Sequence, residues 1–150
     1  MPAGLTGSSQ GLGLALGLAM GSTLALRGSD RFYVHLTGDG ELLFTPSSLW
    51  TLANLNLPVL TVVNNNRSYG NDEGHQEYLA NVRERPVENK LVGVEIRRPD
   101  MDFATVARGF GIEGYGPVED ANDLPSVLRH AAETVARERR PVLVDVVTRG

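Results

Sequence analysis

The sequence contains no cysteine in its 150 residues. Disulfides and thiolate metal sites are therefore excluded, and a reducing cytoplasm is compatible with the composition. It has no excess of positive charge either: 14 Lys and Arg stand against 18 Asp and Glu, a net −4 with the signs mixed. That balance argues against a general nucleic-acid binder or an anionic-membrane binder. No apolar run is long enough to span a bilayer. The candidate, Gly11–Leu26, covers about sixteen residues against the roughly 20 required, and Ser22 and Thr23 interrupt it. Its glycines at 13, 17 and 21 form a small-xxx-small ladder, so the expectation is a buried helix packed closely through its glycine face. Met1–Gly7 carries no Lys or Arg and so lacks the charged start of a secretory signal. Repeats and low-complexity tails are absent. Glycine is what the chain has in abundance, at 17 residues, clustered where close backbone approach would be useful. The length is that of one domain with its own core.

The informative stretch runs from Gly38 to Gly70. Phe32–Leu36 is a short apolar, β-favouring run that ends at Gly38-Asp39-Gly40, and Val59–Val63 is another that ends at Asn64-Asn65-Asn66. Between them, Leu49, Leu52, Ala53 and Leu57 recur at helical spacing within Pro46–Leu57. Strand, helix, strand of this length is a βαβ unit, whose crossover makes the strands parallel. Asp39 and Asn66 then share the carboxyl-terminal edge of one sheet, where open α/β sheets bind ligands. One carboxylate and one amide oxygen flanked by glycines make a hard-oxygen site. Such a site suits Mg²⁺, which takes few protein ligands and shares its shell with phosphates.

Gly38-Asp39-Gly40, twenty-four intervening residues and then Asn65-Asn66 resembles the signature of thiamine diphosphate enzymes, in their pyrophosphate-binding domain. The ending Asn65-Asn66-Arg67-Ser68-Tyr69-Gly70 is similar to the benzoylformate decarboxylase and acetolactate synthase branch. The resemblance implies a doubly wound, mostly parallel α/β sheet with thiamine diphosphate and Mg²⁺ at its strand ends. It implies Asp39, the Asn66 side chain and the Ser68 carbonyl as metal ligands. The three asparagines leave the register open by one, and Tyr69-Gly70 sets the frame at Asn66. The cofactor cradle by the same match comprises Gly38, Asp39, Gly40, Glu41, Asn66, Ser68, Tyr69 and Gly70. Gln10 would accept from the aminopyrimidine through its carbonyl, and Leu12 would be the apolar wedge under the cofactor's bend. An ordinary core leucine is the competing reading of Leu12. The Glu41 amide would open a helix whose N–H groups favour a diphosphate. Its carboxylate, standing where many relatives have a small hydroxyl residue, must point away from the phosphates.

Asn71–Val82 should form a helix running off the site, with Asn71 and His75 on one face and Asp72 beside it. The resemblance makes Asp72 and His75 the candidate catalytic, substrate-side groups, and His75 could move a proton near neutral pH. A solvated polar face is the alternative. Arg83–Pro99, with prolines at both ends, reads as an irregular surface connection with no site signature. Then come a helix capped by Asp102 and ending in Gly109, a strand at Glu113–Val118 and an amphipathic helix over Asn122–Arg139. That helix should face inward at Leu124, Val127, Leu128, Ala131 and Val135. A buried strand at Val142–Val147 closes the chain.

The implied activity is decarboxylation or carboligation of a small 2-keto acid or aldehyde. In the family the activating acid comes from a separate pyrimidine-binding domain, normally of another subunit, and no part of this sequence corresponds to it. The resemblance also implies that the domain lacks its first strand and helix. The expectation is thus a cytoplasmic homo- or hetero-oligomer in which this chain alone binds weakly and catalyses nothing. A non-catalytic pairing module and a different α/β nucleotide-binding protein stand as alternatives.

Overall fold

The computed structural model describes residues 12–148. In chain order the elements are α1 (Ala15–Ala25), β1 (Tyr33–Gly38), α2 (Asp39–Phe44), α3 (Ser48–Asn54), β2 (Val59–Asn65) and α4 (Gly70–Val82). They continue with α5 (Phe103–Gly109), β3 (Glu113–Val118), α6 (Leu124–Glu138) and β4 (Val142–Val147). The four strands form one parallel sheet in the order β1-β2-β4-β3.

Strand alternation sorts the core into two layers. Val59 and Val63 of β2 and Leu143 of β4 face a cluster that includes Leu16, Leu42, Leu49, Leu52, Phe103 and Ala107, contributed by α1, α2, α3 and α5. Leu60, Val142 and Val144 face the other way, onto Ala131 and Val135 of α6. Helices on both faces make the sheet doubly wound, as expected. Each fully buried Leu or Val side chain contributes roughly 1.5–3 kcal/mol, so these layers, rather than helix propensity, hold the short helices.

The later elements follow the sequence pattern closely. Asp102 caps α5 by accepting from the Thr105 amide at 2.7 Å, a contact worth about 1 kcal/mol. The left-handed residue after that helix is Gly111 (φ +83°) rather than Gly109. Ala131 and Val135 of α6 are buried, with Leu124, Val127 and Leu128 packed partly against them.

The glycine helix differs from expectation. Leu16, Ala19 and Thr23 are its buried residues, whereas Gly17 and Gly21 are exposed, with nothing within 4 Å of where a Cβ would stand. Gly13 precedes the helix in a left-handed turn (φ +88°) and is the one that packs closely: a Cβ there would stand 3.1 Å from Phe44 Cβ. The helix is apolar on nearly every side, so its periodicity does not select a face. The buried stripe is not the one with the larger side chains, since Leu14, Leu18 and Leu24 stand exposed beside the glycines; which face is buried is set by packing onto the sheet.

Candidate functional site

Gly38 ends β1 and Asn65 ends β2, and the parallel register Gly38↔Asn64 brings the two strand ends level. The chain leaves β1 directly into α2, so Asp39 turns inward at the sheet edge and is only 2% exposed. Its Oδ1 accepts from the Gly40 amide at 2.8 Å, and its buried Oδ2 has no hydrogen-bond partner. Burial raises the Asp39 carboxyl above its ordinary range, and the amides of Gly40, Arg67 and Ser68 offset part of that rise. The last two lie near the carboxylate without reaching hydrogen-bond geometry at Oδ2. A buried carboxylate oxygen with no donor is a place for a cation.

The three asparagines part company at the end of β2. Asn64 is exposed and accepts from Thr148 Oγ1 at 2.8 Å. Asn65 is buried and donates from Nδ2 to Asp145 Oδ1 and the Met101 carbonyl. Burial pushes the Asp145 carboxyl up as well, with Asp39 among the charges that add to it. Asn66 leaves the strand at the cleft, and its Oδ1 accepts from the Ser68 amide at 3.1 Å. The turn between them places Arg67 at φ +61°. Its guanidinium points away to Asp100 (3.1 Å) and Glu119 (3.6 Å).

Tyr69 closes the site. A Cβ on Gly40 would stand 2.4 Å from Tyr69 Cε1, and one on Gly70 would stand 3.0 Å from Asn66 Nδ2. Gly40 is thus where the second strand-end motif lies against the first, and Gly70 is where the second folds back on its own Asn66. Phe44 meets the Tyr69 ring edge-on at 6.2 Å. Burial, then the charges of Asp39 and Asp72, raise the Tyr69 phenol.

A cleft of about 410 Å³ gathers Leu12, Gly38, Asp39, Gly40, Glu41, Asn66, Ser68, Tyr69, Gly70 and Asp72, with Asn64 and Asn71 beside them. Of the predicted residues, His75 does not line it; it lies exposed on α4, its ring 6.5 Å from that of Tyr78. Gln10 lies outside the described residues. Leu12 is 52% exposed at the cleft, which sets the core-leucine reading aside. Glu41 has a role that its sequence position did not show: Oε1 accepts from the amides of Gly13 and Ala15, at 2.9 Å each, and so tethers the start of α1.

The Arg83–Pro99 connection departs from expectation, because it braces the site from outside. The Tyr69 amide donates to the Val94 carbonyl (2.9 Å) and the Ile96 amide to the Arg67 carbonyl (2.8 Å), with Val94 buried. A single bridge between Ser68 and Glu95 is too short to leave a strand pattern in the sequence. Asn65 and Asp145 were likewise missed; the one available signal was an aspartate within an otherwise apolar strand.

The family model described as thiamine pyrophosphate enzyme, C-terminal TPP binding domain matches residues 3–146. Benzoylformate decarboxylase of Pseudomonas aeruginosa is 30% identical over 138 residues, which is 92% of this chain and 23% of that protein. An acetolactate synthase large subunit of Parasynechococcus marenigrum is 32% identical over 145 residues, 95% of this chain and 21% of that protein. Among solved structures, the thiamine diphosphate-dependent 4-hydroxybenzoylformate decarboxylase of Rhodococcus jostii RHA1 superposes with a TM-score of 0.67 at 29% identity. That match covers 92% of this chain and 23% of the other. The chain therefore spans about a quarter of the length of these relatives. The reading as an unrelated nucleotide-binding protein falls away: the chain belongs to the thiamine pyrophosphate enzymes, as a C-terminal TPP-binding domain.

Proposed function

We propose that this domain holds the diphosphate of thiamine diphosphate through Mg²⁺, liganded by Asp39, the Asn66 side chain and the Ser68 carbonyl. The observation that carries this is the unpartnered, buried Asp39 Oδ2. The charge balance of the cleft supports it. Asp39, Glu41 and Asp72 line the cleft and, among the described residues, no Lys or Arg does, while Arg67 is committed to Asp100 and Glu119. A diphosphate would be repelled there unless a divalent cation came with it. The start of α2 cannot substitute, since a helix of six residues offers at most about 0.3–1 kcal/mol to an anion. A single charge pair near the surface is worth roughly 4 kcal/mol at 4 Å.

When bound, thiamine diphosphate supplies a ring that accepts the electrons freed as a 2-keto acid loses carbon dioxide. The residues of this chain hold and shape. Asp39 and Asn66 orient the metal, Gly40 and Gly70 admit the Tyr69–Asn66 loop, and Leu12 props the cofactor's bend. Asp72 faces the substrate from the first turn of α4, and His75, one turn on and outside the cleft, would meet only a substrate that extends beyond the cleft rim. The activity we propose for the whole enzyme is decarboxylation or carboligation of a 2-keto acid in the cytoplasm. It requires a pyrimidine-binding domain, so the isolated chain would be inactive. An oligomer is supported by the apolar outer side of α1, where Leu14, Leu18 and Leu24 stand exposed beside Gly17 and Gly21. No helix among the described residues is long and apolar enough to cross a membrane.

Calorimetric titration of thiamine diphosphate, with and without Mg²⁺, tests the central claim, on the chain alone and with a pyrimidine-domain partner. Binding should require the divalent ion, and Asp39→Ala should weaken it by at least tenfold. A folded Asp39→Ala variant that keeps full Mg²⁺-dependent binding would refute the ligand assignment.

A further inference from the structure

We infer that Asp145 and Asn65 are positioning residues for this metal site: a buried bracket that holds the end of β2 so that Asn66 is delivered to the cleft. The inference rests on the ligand set proposed above. Asp145 is fully buried on β4. Its Oδ2 accepts from the Phe103 amide at 2.9 Å and its Oδ1 from Asn65 Nδ2 at 3.1 Å. The same Asn65 amide donates to the Met101 carbonyl at 3.2 Å. One side chain from β2 and one from β4 thus tie two strands to the residues that open α5.

The need for such a tie follows from the sequence. Three consecutive asparagines offer three equivalent side chains, and a one-residue slip of a strand sends every side chain to the opposite face. The bracket distinguishes them, since only the middle one has a buried carboxylate to meet. With Asn65 seated, Asn64 turns to the opposite side of the strand, at the cleft rim, where its oxygen accepts from Thr148 Oγ1. The Thr148 amide donates to the Asn65 carbonyl at 3.0 Å, extending the β2–β4 pairing to the last residue of β2. Asn66 is the first residue beyond the strand pairing, and it too lines the cleft.

The energetics favour a specifying role over a stabilising one. Asp145 interrupts the apolar run Val142-Leu143-Val144, all buried. Burying a carboxylate there costs free energy that an apolar residue of similar size would not. Polar groups retained in a core at such a cost are best attested as devices that set register. A bracket that only stabilised the fold would lower the melting temperature and leave metal affinity unchanged in the molecules that remain folded.

Mn²⁺ in place of Mg²⁺ allows the free ion to be counted by electron paramagnetic resonance in the presence of thiamine diphosphate, on the full 150-residue chain. Asn65→Leu keeps the branched side-chain outline at a larger volume and removes the donor. Asp145→Asn keeps an acceptor for the Phe103 amide and sets two amide groups against each other. Both should fold by circular dichroism and bind Mn²⁺ at least tenfold more weakly. The reciprocal exchange Asn65→Asp with Asp145→Asn restores a donor–acceptor pair between the strands while losing the donor to the Met101 carbonyl, and should recover part of that loss. Should Asn65→Leu fail to fold, Asp145→Asn and the exchange decide the matter. Mn²⁺ affinity within twofold of the parent in a folded single variant, while Asp39→Ala loses it, overturns the bracket and leaves the ligand set standing. A parent chain that shows no Mn²⁺ binding with thiamine diphosphate, either alone or with a pyrimidine-domain partner, overturns the ligand set, and the bracket with it.

Discussion

The loop from Asn64 to Tyr69 and helix α4 are consecutive in the chain and opposite in character. Inside the loop Asn65 and Ser68 are buried, and the loop backbone is bridged to Val94 and Ile96. The helix that follows has no buried residue at all, and Tyr78 and Val82 on it are more than half exposed. Lys90 reaches Glu73 and Glu77 across its surface, a solvent-exposed arrangement of little weight. A helix of 13 residues is marginal without packing. One region is thus completed by contacts within this chain, whereas the other presents an apolar surface that nothing among the described residues covers. Asn66 and Ser68, two of the residues assigned to the metal, lie in the first, and Asp72 and His75, assigned to the substrate, begin the second.

The largest effect that would sharpen this contrast comes from acid. His35 lies buried on β1, paired with the strand that leads into the loop, with neither ring nitrogen hydrogen-bonded. Burial holds its pKa down at about 4, against a smaller opposing pull from Glu41. Above pH 6.5 the imidazole is neutral in both folded and unfolded chains. As pH falls from 6.5 to 4 the unfolded chain takes the proton first, so folding stability is lost across that window, on the order of 3 kcal/mol in full. Asp39 and Asp145, with carboxyls raised by burial, contribute with the opposite sign. The test is therefore the difference between the parent and His35→Leu in urea midpoints at pH 7.5 and 4.5. The variant should lose markedly less stability on acidification, and equal losses would show that His35 is not the group responsible.

A next smaller effect is expected at the contact between the two strand-end motifs. Gly40→Ala would drive a methyl into the Tyr69 ring, and overpacking of this kind costs roughly 1–3 kcal/mol. In a Tyr69→Ala background the same change should cost far less. Denaturant unfolding of the four chains in this cycle measures the coupling; additive costs would mean that the ring does not press on Gly40.

The smallest effect belongs to α4. Tyr78→Ser with Val82→Ser should change the stability of the isolated chain by less than about 0.5 kcal/mol per site, the range of surface changes. A loss of 2 kcal/mol or more in thermal or urea unfolding would erase the distinction drawn between loop and helix.

Much of this was legible in the residues alone, and the limit has a physical cause. The βαβ unit, the parallel strands and the placing of Asp39 and Asn66 at one sheet edge follow from apolar periods and turn residues, signals that act over a few positions. So do α5, with its Asp102 cap, and the inward face of α6. The choices that tertiary structure alone made involve residues far apart in the chain. Glu41 tethers the start of α1 across 26 and 28 positions, and Asn65 meets Asp145 across 80. The face that α1 buries could not be read from a helix apolar all round. Nor could three identical asparagines be told apart before the sheet set their register. Local sequence determined which elements form and where they end; which of their side chains meet was decided by packing.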